Sequence, residues 1–261
     1  MPIETEQRGK TLLITLNRPE KMNSLDQEMM DGLAETWQRF EEDDDLWAAV
    51  VTGAGDRAFC SGRDLFARAP GSFERHLERK ATSGTVEPRR HSFSPAEVWK
   101  PVIAAINGYA LAGGFALALA CDLRIAADTA RVGSMSVKRN LIGSGQVVRL
   151  SRYVPFAKAL EILLLGDHIS AADAERIGLV NAVVPQADLL PAALDWAERI
   201  CRNGPLAVRA QKEIAYRSLE LPWREATRLE GEKYNEMLET EDVQEGQLAF
   251  KERRDPVWRG R

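Results

Sequence analysis

The 261-residue chain reads as an α/β protein built on a largely parallel sheet. Three observations predict this. Short apolar runs recur at 11–16, 48–52, 102–106 and 123–127, each separated from the next by a loop or helical stretch. Uninterrupted apolar runs of this length suit strands buried on both faces. The separations leave room for crossovers, which parallel strands require. The third observation is Gly113-Gly114, which follows the run Val102–Ile106 and an Asn107-Gly108 turn and opens an apolar stretch of helical length. A strand, a glycine turn and a helix start together aim unpaired first-turn N–H groups at one spot. With the helix dipole behind it, that spot suits a phosphate or a developing oxyanion.

The elements follow in order. Thr11–Leu16 is a strand, broken by Pro19 and Asn23. Ser24 or Asp26 caps a helix through about Phe40, with Met29, Met30, Leu33, Trp37 and Phe40 on its apolar stripe. Asp43–Asp45 stop it. The strand at 48–52 leads through Gly53 and Gly55 into Ala58-Phe-Cys-Ser-Gly-Arg-Asp-Leu65. Residues 66–95 are rich in Arg, Ser and Gly and poor in aliphatics, and read as a mobile cover over a site. Beyond Pro185 the pattern predicts helices at about 186–203, 205–220, 223–240 and 241–254. Their breaks fall at Asn203-Gly204-Pro205, Leu221-Pro222 and Asp255-Pro256.

Composition excludes several classes. A net charge of −4 provides no basic field for nucleic acid. Three cysteines without metal-ligand spacing, Cys60, Cys121 and Cys201, indicate a reducing compartment and no metal site. The N-terminus lacks a signal-peptide core, and no apolar run is long enough to span a bilayer. A cytoplasmic protein away from membranes is expected.

Four segments carry a resemblance. They are Leu13–Leu25 with its Leu-Asn-Arg-Pro-Glu-Lys run, Ala58–Leu65, Ile106–Asp122 with its glycine turn, and Ser170–Pro185. In this order and spacing they resemble the enoyl-CoA hydratase/isomerase (crotonase) superfamily over nearly the whole chain. The resemblance implies a ClpP/crotonase-like fold, with a spiral core of ββα units at 1–185 and a C-terminal helical trimerisation region at 186–261. It implies an acyl-CoA substrate with no cofactor besides the coenzyme A it carries, and a trimer or a hexamer of two trimers. It also implies an oxyanion hole formed by the backbone N–H groups of Ser61 and Gly113, with Cys60, Gly62, Leu65 and Gly114 lining the thioester site. Cations suited to coenzyme A phosphates are Arg18, Lys21, Arg63 and, in the tail, Arg253 beside Phe250. Asp64 completes the binding set.

The chain departs from this pattern at the acids. Hydratases of the resembled family use two glutamates, one two residues after the glycine pair and one after a later strand. Those positions hold Ala116 and Ser136, and no Asp or Glu lies between Thr129 and Arg152. Neither alanine nor serine can act as a carboxylate base. His91 and Lys138 are the nearest candidates for a replacement, with Ser134, Arg139, Glu74, His76 and Glu97 in the same regions; His168 reads as a loop residue. The expected function is therefore binding of an acyl-CoA thioester and stabilisation of its enolate, by a reaction other than standard hydration. Decarboxylation or C–C cleavage of an acyl-CoA is one alternative. An acyl-CoA binding protein without turnover is the other.

Overall fold

The computed structural model describes residues 1–64, 93–95 and 98–261. Leu65, His91, Glu74, His76, Glu97 and residues 66–92 of the segment read as a cover lie outside the described residues.

Two sheets organise the described residues. The larger has six strands in the order β1 (Ile3–Arg8), β2 (Thr11–Leu16), β3 (Ala48–Gly53), β5 (Val102–Ile106), β7 (Leu123–Ala127) and β10 (Ala182–Val184). Only the β1–β2 hairpin is antiparallel; the other pairings are parallel, as the crossovers require. Strands β3 and β5 are buried at every position, which explains their unbroken apolar character.

The smaller sheet orders four short strands as β4 (Ala58–Cys60), β6 (Tyr109–Leu111), β8 (Arg131–Gly133) and β9 (His168–Ser170). At three residues each, these strands show no periodicity, and the sequence reading did not separate them from loops. Strands β4, β6 and β8 run parallel, in a register that pairs Cys60 with Ala110 and Leu111 with Gly133. Their C-terminal ends therefore release residues 61–63, 112–116 and 134–136 on one side of the sheet. That shared exit positions the site.

Helix α1 (Gln27–Glu42) starts at Asp26, whose carboxylate accepts the Met29 N–H at 2.9 Å. It buries the predicted stripe of Met29, Met30, Leu33, Trp37 and Phe40. Its C-terminus is held by Lys100, which is fully buried and donates to the Phe40 and Asp43 carbonyls at 2.6 Å each. Helix α2 (Gly113–Ala120) is apolar on every side and buried from Gly114 onward, as a central helix must be. Four further helical segments come before the tail: a 3-10 turn at Ser136–Arg139, then α3 (Val147–Tyr153), α4 (Phe156–Leu165) and α5 (Ala171–Arg176).

In the tail, α6 (Leu189–Cys201) packs on β2, β3, β5 and β7, so the core of the large sheet continues past Pro185. Helix α7 (Pro205–Ser218) is anchored through Asp122, which accepts from Lys212 Nζ at 2.7 Å and Tyr216 OH at 3.0 Å. Helices α8 (Trp223–Leu238) and α9 (Glu241–Glu252) leave Trp223, Tyr234, Leu238 and Phe250 exposed. All four tail helices begin within three residues of the predicted starts. No helix among the described residues is long and apolar enough to cross a membrane.

Candidate active site

The α2 N-terminus is pressed against the turn that follows β4. A Cβ on Gly114 would stand 2.0 Å from the Cys60 carbonyl oxygen, so only glycine fits there. Gly62 has φ +102°, and a Cβ on it would approach the Gly113 nitrogen, the Ala112 Cβ and the Leu111 oxygen to 3.0 Å each. Both close approach and backbone conformation thus select glycine at 62. Gly113 starts the helix, and its N–H has no carbonyl one turn earlier to bond within the helix. Beside it lies the Arg63 amide nitrogen, 3.4 Å from the position of a Gly113 Cβ.

The turn before α2 is held from both sides. The Ala112 N–H donates to the Gly133 carbonyl at 3.1 Å. The Ala112 carbonyl accepts from the Ala116 N–H at 3.0 Å and from Gln146 Nε2 at 2.7 Å. Ala112 itself has φ 48° and ψ −116°, a conformation that a side chain disfavours.

Several predicted residues take other roles. The Ser61 N–H donates to the Met22 carbonyl at 3.0 Å and is therefore engaged inside the fold, unlike the free donor expected of it. The Arg18 guanidinium bridges Asp26 Oδ2 at 3.0 Å and Asp64 Oδ2 at 3.3 Å and also donates to the Ser24 carbonyl. Arg18 and Asp64 tie the first loop to the β4 turn, so the Arg18 charge is engaged within the fold and Asp64 holds the turn. Lys21 and Arg63 are exposed, and Arg63 Nη2 reaches Met30 Sδ at 3.4 Å.

Cys60 is fully buried. Burial pushes its thiol pKa up to about 12, against the opposing effect of the Gly62 backbone, so it packs as a small hydrophobe. Lys138 is on the surface, paired with Asp167 Oδ1 at 2.5 Å. Phe250 lines a groove of about 430 Å³ with Leu206, Met237 and Trp258. None of that groove's lining residues belongs to the β4 turn or to α2, and Arg253 follows on the exposed end of α9.

The two expected acid positions lie on the two segments released at the ends of β6 and β8. Ala116 is buried and lies three residues beyond Gly113, on the same helix face. Ser136, half-buried, opens the 3-10 turn after β8. Neither brings a carboxylate.

Sequence reasoning missed three amides that hold this region. Buried Asn23 donates to the Ala54 and Ala58 carbonyls at 3.0 and 2.7 Å, and its Oδ1 accepts the Arg18 N–H. Buried Asn107 donates to the Gly53 and Gly55 carbonyls at 2.8 and 2.7 Å. Gln146 is the third. The only signal for the asparagines was their place beside a turn; for Gln146 there was none.

Comparison with known proteins agrees with this architecture. Residues 6–261 match the family model described as enoyl-CoA hydratase/isomerase. An (E)-benzylidenesuccinyl-CoA hydratase of Thauera aromatica is 40% identical over 262 residues, covering 100% of both chains. A carnitinyl-CoA dehydratase of Escherichia coli K12 is 40% identical, covering 97% of this chain and 96% of its own. Among solved structures, an enoyl-CoA hydratase from Bacillus anthracis superposes with a TM-score of 0.92 at 35% identity, with both chains fully covered. One from Mycobacterium tuberculosis H37Rv gives 0.89 at 38%, covering 100% of this chain and 99% of its own. The sheet pair, the glycine turn at the head of a buried helix and the end-to-end match lead to one assignment: this chain belongs to the enoyl-CoA hydratase/isomerase family and has the crotonase fold.

Proposed function

We propose that the protein binds an acyl-CoA thioester with its carbonyl oxygen at the α2 N-terminus and stabilises the enolate formed there, by a reaction other than ordinary two-carboxylate hydration. One observation carries this reading: the Gly113 amide opens α2 with the Arg63 amide nitrogen beside it, and neither Ala116 nor Ser136 brings a carboxylate. The Gly113 N–H and, in place of Ser61, the Arg63 N–H are the donors. Such a donor typically contributes 10²–10³-fold to turnover, because it meets charge that develops only in the transition state. The relatives' names support the CoA-thioester class. The missing acids favour a step that creates an enolate without a protein base. Loss of CO2 from a malonyl-type CoA is such a step; the C–CO2 bond breaks and its electron pair enters the enolate. Binding without turnover is the alternative.

A panel of crotonyl-CoA, an aryl-substituted enoyl-CoA and malonyl-CoA, followed by chromatography, tests this. Hydration of crotonyl-CoA should be slow, because each absent acid–base partner typically costs about 10²–10⁴-fold. Hydration at the rate of an ordinary hydratase would overturn the reading. Consumption of malonyl-CoA would select decarboxylation, and thermal stabilisation without consumption would select binding alone. We also assign a trimer or a pair of trimers to the protein in the cytoplasm, because the tail leaves Trp223, Tyr234 and Phe250 exposed on one chain. A monomer by light scattering at micromolar concentration would refute that.

A further inference from the structure

Gln146 is 1% exposed and sits in the loop before α3. Its Nε2 lies 2.7 Å from the Ala112 carbonyl oxygen. A carbonyl can only accept, so this contact fixes which end of the amide faces Ala112. The other end, Oε1, is buried and has no hydrogen-bond partner among the described residues. The side chain is therefore held in place by its donor end alone.

The Ala112 carbonyl belongs to the same planar peptide as the Gly113 N–H. Fixing the oxygen fixes the direction of the N–H on the opposite side of that plane. Donation to the oxygen also polarises the peptide and strengthens its N–H as a donor. The peptide needs such a hold because Ala112 stands at φ 48° and ψ −116°, from which a residue with a Cβ relaxes unless its surroundings prevent it.

We infer that Gln146 is a positioning residue for the oxyanion site: it orients and polarises the Ala112–Gly113 peptide so that the Gly113 N–H meets the thioester oxygen. This rests on the acyl-CoA reading above and adds to it a residue outside the recognised motifs. Gly143 belongs to the same device. A Cβ on Gly143 would come within 2.8 Å of Gln146 Oε1 and 3.0 Å of its Cδ, so glycine there leaves room for the amide head.

The test uses the full chain and two chromophoric thioesters, trans-cinnamoyl-CoA and hexa-2,4-dienoyl-CoA. Donors at the carbonyl oxygen shift the absorption of such conjugated thioesters to longer wavelength, so the red shift reads carbonyl polarisation without turnover. Wild-type protein should bind at least one probe and shift its band. Gln146→Met keeps the shape and removes the donor together with the unpartnered acceptor, so its melting temperature should stay near wild type. It should lose most of the red shift, while Kd rises by at most about tenfold, the scale of one neutral hydrogen bond. Gly143→Ala should reduce the shift in the same direction with Gln146 still present. A full red shift in Gln146→Met overturns the role of Gln146 and leaves the acyl-CoA reading standing. Failure of wild-type protein to bind either probe or malonyl-CoA overturns the acyl-CoA reading and this role with it, and binding of a probe without a shift overturns the placement of the carbonyl oxygen at the α2 N-terminus and this role with it.

Discussion

The two adjacent glycines of the α2 turn should change stability in opposite directions on the same substitution. In Gly114→Ala the new Cβ would stand 2.0 Å from the Cys60 carbonyl oxygen, 2.6 Å from its carbon and 2.7 Å from its Cβ. Real Cβ contacts are not closer than 3.0 Å, so α2 and β4 must part by about 1 Å. Two of the three obstacles are backbone atoms, and no rotamer change can relieve them. Overpacking of this kind costs about 1–3 kcal/mol, and a rigid neighbour places it high in that range. Alanine's better helix propensity returns roughly 0.8–1 kcal/mol. A net loss of about 2 kcal/mol remains, a fall of roughly 4–8 °C in melting temperature for a chain near this size. In Gly113→Ala the nearest atoms would be Leu25 Cδ1 at 3.3 Å and the Arg63 nitrogen and Gly62 Cα at 3.4 Å. These contacts are tolerable, and Gly→Ala at a compatible position stabilises by about 0.4–1 kcal/mol. But that methyl stands beside the Arg63 amide, between the two proposed donors. Thermal unfolding and the red shift of bound cinnamoyl-CoA, measured on both variants, give the answer. Gly113→Ala should unfold at or above the wild-type temperature and lose the shift. Gly114→Ala should lose both stability and shift. Equal stability of the two variants would refute the packing argument, and an intact shift in Gly113→Ala would refute the donor assignment.

Three further outcomes concern other parts of the fold. Ala112→Gly should raise stability by about 0.5–1 kcal/mol in a denaturant titration, since an alanine held at φ 48° and ψ −116° costs about 1–3 kcal/mol and the added freedom of the unfolded glycine offsets part of it. Lys100→Met leaves the Phe40 and Asp43 carbonyls without their charged donor and should cost about 1–3 kcal/mol. Burial, followed by Arg209, holds the Lys100 pKa below the ordinary lysine value, although Glu41, Asp44 and Asp43 oppose this. The native state thus releases that proton before the unfolded state does. Its contribution to stability rises with pH from the lowered pKa up to about 10.4, and urea titrations of Lys100→Met should lack that rise. For the thiols, burial pushes Cys60 and Cys121 up to about 12, so an aromatic disulfide reagent at pH 8 should modify no more than Cys201 in native protein and all three after denaturation.

The legible parts of the fold were those in which one residue type recurs with a period. The α1 stripe and the two strands buried on both faces declare themselves because burial of a long face demands repetition, and the four tail helices because Gly and Pro mark their breaks. The small sheet was not legible. Its strands are three residues long, too short for alternation to register, and they pair across separations of about 50 residues for β4 with β6. Yet that sheet, more than the large one, delivers the site, because its parallel strand ends release 61–63, 112–116 and 134–136 together.

The same distinction explains which site residues were found. Gly113 and Gly114 are visible because a turn that excludes side chains leaves a mark in the sequence. The Ser61 assignment failed by two peptides: along a tight turn successive N–H groups point in different directions, and the Met22 carbonyl claims the one at 61. Arg18 failed for a different reason. A cation in a loop reads as a free ligand until the fold brings Asp26 and Asp64 to it, and those partners lie 8 and 46 positions away. Gln146 is the extreme case. No property of a lone glutamine in Gly143-Ser144-Gly145-Gln146 distinguishes it from a surface residue; its role arises only when α3 is packed against α2 and the amide reaches Ala112. Residues that must be small or apolar are written in composition, whereas residues that act through one directed hydrogen bond are written in the packing. Ala116 and Ser136 belong to the first kind: the absence of a carboxylate at both positions is plain in the sequence, whereas the backbone donors proposed for the thioester oxygen leave no side-chain mark and have to be read from the packing of α2 against the β4 turn.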